Sequence, residues 1–128
     1  MADGYIGRSN GASPSTEFVR LSGSAASTPG IIITATIVGS ALTIHTADAN
    51  AVDVLYVQVY NHTGGTITVY GQLGTTATTS SIPLSLTTKS SGFLFNGAPI
   101  TSAGVVSVWN DTATTGCVVV GSVQRTYI

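Results

Sequence analysis

The chain predicts an all-β domain, an antiparallel β-sandwich or jelly roll of about eight short strands with an extended N-terminal arm. Three observations lead there. Val, Ile and Thr, which favour pleated surfaces, fill the apolar segments, and Thr with Ser makes up roughly a quarter of the chain. No window repeats its apolar residues with the 3.6-residue period of a helix. Short apolar runs recur at even spacing, separated by turns rich in Gly, Ser, Asn and Thr.

The elements follow in chain order. Residues 1–30 are Gly-, Pro- and Ser-rich with isolated apolar side chains, so they cannot form a packed unit alone and are expected as an arm. The alternative is a plain solvated tail, against which Phe18-Val19-Arg20-Leu21 resembles a short strand in search of a partner edge. The domain proper spans 31–128. Residues 31–38 are β-branched almost throughout and predict a strand ending at Gly39-Ser40. In 42–46, Leu42 and Ile44 alternate with Thr43 and His45. The polar stretch 47–53 is the one place suited to a helical turn. Strands over 54–60 and 66–73 flank Asn61-His62-Thr63-Gly64-Gly65, a short Gly-bearing loop that predicts a β-hairpin. A Thr-rich loop covers 74–81, and strands are expected over 82–87 and 92–95. Asn96-Gly97-Ala98-Pro99 reads as a turn, and strands over 105–109 and 117–127 close the domain.

Composition excludes several function classes. The 128 residues fit one domain, which removes about two thirds of its unfolded surface from water. Only four Lys and Arg and five Asp and Glu are present, 7% charged, where an average domain has about 25%. Arg8, Arg20, Lys89 and Arg125 lie far apart, too few for an electrostatic groove on nucleic acid. The longest apolar run is Ile31-Ile32-Ile33, against about 20 residues for a membrane span, so no membrane partner is expected. The opening MADGYIGRSNGASPS lacks the pattern of a secretory signal, so synthesis in the cytoplasm is expected.

Catalytic and metal-binding vocabulary is thin. His45 and His62 have no acid, Cys or second His at ligand spacing, and Asp48 and Asp53 lack the glycines and further acids of a calcium loop. Cys117, the one cysteine, heads a valine run and reads as a buried apolar thiol. Neither a Gly-x-Ser-x-Gly elbow nor a His in motif context is present, so no catalytic residue, cofactor or metal is expected and the chain is read as a non-enzyme.

The candidate contact residues come from alternation. If Leu55, Val57 and Val59 face a core with Ile67, Val69 and Leu73, then Tyr56, Tyr60 and Tyr70 share the opposite face of the expected hairpin. Three such rings offer about 500 Å², the size of a contact patch. The other reading is three rings filling cross-strand positions or lying beneath the arm. Trp109, ending its strand, is either a core residue or part of the same contact. Phe18, Val19, Arg20 and Leu21 complete the expected interface.

The segment VLYVQVYNHTGGTITVYGQL, then SIPLSL, GFLFNGAPI, VVSVW and CVVVGSV, is similar in cadence to small β-rich virion proteins of tailed bacteriophages that decorate or cement the icosahedral head. The likeness covers 54–123. It implies a capsid decoration subunit on the virion surface whose partners are the major capsid protein and its own copies, with a trimer as the implied symmetry. A tail or fibre tip with the same cadence is the alternative, a carbohydrate- or receptor-binding module stacking glycan on Tyr56, Tyr60, Tyr70 and Trp109. Low charge argues the same way independently: free sheet edges with few edge charges need covering by neighbours, and an arm can add a strand to a neighbour's sheet.

Overall fold

The computed structural model describes residues 16–74, 81–101, 103–112 and 114–127. Within them lie nine strands: β1 Thr16–Arg20, β2 Ile31–Ile32, β3 Leu42–Thr46, β4 Ala51–Asn61, β5 Ile67–Leu73, β6 Ile82–Leu86, β7 Ser91–Thr101, β8 Val105–Asn110 and β9 Cys117–Tyr127. One antiparallel sheet has the order β1-β9-β4-β7, with β2 also on β9; the other has the order β3-β8-β5-β6. The sheets pack together as an all-β sandwich, the predicted fold class.

Pleat parity builds the core. Along β4 every second residue from Ala51 to Asn61 is buried, so Leu55, Val57 and Val59 meet Ile67 and Val69 of β5, Val106 and Val108 of β8, and Val119 and Val123 of β9 in one apolar cluster. Each fully buried Val or Leu contributes about 1.5–3 kcal/mol. β4 pairs with β9 on one side and β7 on the other, which makes it the central strand. Gly121 of β9 lies opposite Val57 because nothing larger fits: a Cβ there would stand 2.5 Å from the Tyr56 carbonyl oxygen and 3.2 Å from Leu21 Cδ1.

Several expectations are corrected. The 54–60 and 66–73 strands form no hairpin: β4 pairs with β7 and β9, whereas β5 pairs with β6 and β8. The 61–65 loop carries the chain from one sheet to the other. Asn61, buried at the end of β4, anchors that crossing, its Nδ2 donating to the carbonyls of Gly65, Leu86 and Thr87 at 2.9–3.1 Å. The expected strand over 31–38 shortens to β2. Beyond it Ile33 N–H still donates to Cys117 O at 2.9 Å, and Asn110 then draws the chain aside, donating its main-chain N–H to Ala35 O and its Nδ2 to Ile33 O. The 47–53 stretch holds no helical turn; Asp48 Oδ1 accepts from Asn50 N–H in a tight bend and β4 starts at Ala51. Residues 96–99 form no turn but lie inside β7, where Gly97 at φ +93° and two register shifts bulge the strand.

The arm expected over 1–30 is not free from residue 16 on. β1 pairs with the chain's own β9 through Thr16–Arg20, and Leu21 is wholly buried. Residues 1–15 lie outside the described residues.

Candidate functional site

The structure divides the expected interface. Tyr56 and Tyr60 point outward from the β1-β9-β4-β7 sheet, both half-buried, with Tyr60 Oη donating to Gln58 Oε1 at 3.0 Å and its ring stacked on His62. Tyr70 belongs to the other sheet, where it faces Trp109 across β5 and β8 with ring centroids 5.2 Å apart and planes 14° from parallel. Trp109 is buried, only 5% exposed. The hairpin that would have joined the three tyrosines does not form, so the four-ring platform becomes two pairs in different sheets. Of the β1 segment, Leu21 is core, Val19 packs against the core, and Arg20 is exposed with Nε donating to Ser24 O at 3.2 Å. Phe18 alone keeps the character of a contact residue, 74% exposed.

Parity and register define a different surface. The outer face of the β1-β9-β4-β7 sheet presents Phe18, Val120 and Phe93 on β1, β9 and β7, with Ile32 of β2 beside Val118. Ile32 and Phe93 are each about half exposed. Tyr56, Tyr60, Val52 and Val54 of β4 fill the floor between them. Among the described residues on this face, Arg20 is the single charge. The face is poor in charge rather than continuously apolar, since Gln58 stands between Val120 and Phe93, Gln124 between Phe18 and Val54, and Ser122 between Arg20 and Tyr56.

A second constellation lies at the inner side of β1. Asp53, on the core face of β4, is fully buried and accepts from Arg125 Nε on Oδ1 at 2.8 Å and from Arg125 Nη2 on Oδ2 at 2.9 Å. His45 of β3 reaches the same Oδ2 with Nε2 at 2.7 Å, linking the two sheets. Ser22 N–H donates to His45 Nδ1 at 3.0 Å, so Nδ1 is an acceptor and Nε2 carries the proton given to Asp53. Burial alone would raise the Asp53 carboxyl; hydrogen bonds from Arg125 and His45 and the nearby guanidinium charge outweigh it and hold the group below its ordinary value. The Asp53 hydrogen bond in turn pushes Arg125 further above its already high value. His45 therefore does have an acid partner, contrary to the expectation from spacing.

Ser22, His45 and Asp53 are the residue types of a hydrolytic triad, but the wiring differs. Ser22 meets the imidazole through its main-chain N–H, while its Oγ accepts from Thr46 N–H at 2.8 Å. Among the described residues no hydroxyl donates to the imidazole for proton removal. A shallow groove of about 470 Å³ opens beside the cluster, lined by Phe18, Val19, Arg20, Ser22, Ala26, His45 and Arg125.

No protein-family profile matches the chain, and no curated protein matches it. A solved structure of Bacillus endospore appendages, described as a novel family of disulfide-linked pili, has a similar fold, with a TM-score of 0.51 over 98% of this chain and 97% of that chain at 15% sequence identity. At that identity the likeness is one of fold.

Proposed function

We propose that this chain is a non-enzymatic structural subunit of a larger protein assembly, in contact with its neighbours through the outer face of the β1-β9-β4-β7 sheet. One observation carries the reading: that face exposes Phe18, Ile32, Phe93 and Val120 among tyrosines, valines and uncharged polar residues, with a single charge among its described residues. Two kinds of assembly fit. The cadence of 54–123 favours a decoration or cement subunit on the capsid surface of a tailed bacteriophage, bound to the major capsid protein and to its own copies. The fold shared with a pilus protein favours a filament built of copies of this chain.

Electron microscopy of the purified protein, alone and mixed with empty phage shells, separates the two. Filaments formed alone favour the second; binding only to shells favours the first; a monomer that does neither rejects both.

The pilus protein is described as disulfide-linked. Here the chain's one cysteine, Cys117, is fully buried, and burial pushes its thiol above the ordinary value. An assembly of this chain is therefore held without Cys117 disulfides. Its native mass is expected to be unchanged by reductant and by Cys117→Ala, and a thiol-reactive dye is expected to label Cys117 only on unfolding. Loss of assembly in reductant would contradict this.

A further inference from the structure

We infer that two copies of this chain join edge to edge through β1, antiparallel about a two-fold axis at Phe18, making one continuous sheet across the pair. The inference rests on the assembly reading above and names one contact within it.

The sheet edges are not equivalent. The free edge of β3 is occupied by the chain itself, with Gly23 N–H donating to Ile44 O and Ser22 Oγ accepting from Thr46 N–H. β6 carries Pro83 at its second position, and β7 is bulged twice and carries Gly97 and Pro99. Proline and bulges stop a strand from accepting a neighbour. β1 has no Pro, Gly or register shift over Thr16–Arg20.

The register follows from pleat and charge. Facing residues of a continuous antiparallel sheet lie on the same side, so a two-fold axis normal to the sheet passes through a residue rather than between two. An axis at Glu17 or at Arg20 sets two like charges face to face, which is unfavourable. An axis at Val19 or Thr16 leaves part of the strand unpaired. An axis at Phe18 pairs the whole strand, with Thr16 opposite Arg20 of the partner subunit, Glu17 opposite Val19 of the partner subunit, and Phe18 opposite Phe18 of the partner subunit. That last pair is a cross-strand aromatic contact on the outer face, and it covers the most exposed large apolar side chain among the described residues.

Sedimentation of the full chain over a concentration series tests this, comparing wild type with Phe18→Lys. Phe18 is largely solvent-facing, so the variant is expected to keep its circular dichroism and melting while association weakens at least about tenfold. A second measurement uses Phe18→Cys and, on the far edge strand, Phe93→Cys under mild oxidation. Buried Cys117 stays silent, and Phe18→Cys is expected to yield a covalent dimer much faster than Phe93→Cys. Unchanged association of Phe18→Lys, or equal cross-linking at the two positions, overturns the β1 contact and leaves the assembly reading standing. A wild-type chain that stays monomeric throughout overturns the β1 contact, and one that in addition forms no filaments and binds no shells rejects the assembly reading as well.

Discussion

Asp53→Ala is expected to destabilise the fold by roughly 3 kcal/mol, because it strands the buried His45 imidazole N–H and takes the bidentate partner from Arg125, which keeps only Asp48 at 4.0 Å among the carboxylates near it. Asp53 is the common acceptor for Arg125 and His45, and all three side chains are largely or wholly buried. Against the roughly 5–15 kcal/mol that is typical for a domain, such a loss removes about a fifth to more than half of the stability. The cost comes from stranded polar groups rather than from the pair's intrinsic worth, so a triple change, Asp53→Leu with His45→Leu and Arg125→Met, is expected to recover much of it. Urea unfolding of the single and triple variants checks both statements. The same cluster sets an acid limit. The folded-state Asp53 carboxyl lies below its unfolded value, so its contribution is complete above the unfolded value of about 3.9 and is lost as pH falls through the folded one. Stability is therefore expected to decline on acidification below about pH 4, and less steeply in Asp53→Asn.

Gly121→Val is expected to prevent folding altogether. The new Cβ would stand 2.5 Å from a main-chain oxygen of β4, and neither β9 nor β4 can withdraw without opening the ladder that holds Val57 and Val59. Ordinary core overpacking costs about 1–3 kcal/mol; here the obstacle is main chain in the central strand, so Gly121→Ala is already expected to exceed that range. Gly64→Ala is the control, since a Cβ there meets nothing within 4 Å. Circular dichroism and soluble yield of the three variants decide it. A folded Gly121→Val protein would show that the close approach of β9 to β4 is wrong.

Much of the fold was legible because the pleat imposes a period of two. Leu55, Val57, Val59, Ile67, Val69 and Leu73 were assigned to the core by alternation alone; the first five are buried, whereas Leu73 is only partly buried and Gln72 beside it is fully buried. The division into sheets was not legible. A five-residue loop with two glycines suits a hairpin as well as a crossing between sheets, and what decides is the Asn61 side chain holding carbonyls of a segment 25 and 26 residues away. Placing Tyr70 beside Tyr56 failed for that reason alone. Gly97-Ala98-Pro99 carries turn chemistry, yet the same chemistry serves a bulged edge strand.

The buried cluster was missed although a signal existed. Asp53 has the parity of Leu55 and Val57 on β4, and Arg125 that of Val123 and Val119 on β9. An acid and a cation at core positions of two strands imply that the strands are neighbours. Spacing rules built for metal and catalytic motifs look along the chain, whereas the partner of Asp53 is 72 residues distant. β1 was legible as a strand, but its edge-mate proved to be the chain's own β9, because nothing in Phe18-Val19-Arg20-Leu21 distinguishes an intramolecular partner from an intermolecular one.

The central claim is that the outer face of the β1-β9-β4-β7 sheet is buried by neighbours in use. Its most direct test is the native mass of the full chain beside that of the double variant Phe93→Lys with Val120→Lys, two exposed positions whose change leaves the core intact. The account predicts that the wild type assembles beyond a pair of copies, alone or on phage shells, at micromolar concentration and that the folded variant goes no further than the pair joined through β1. A wild type that stays monomeric at millimolar concentration and binds no shell, or a variant that assembles like the wild type, would contradict it.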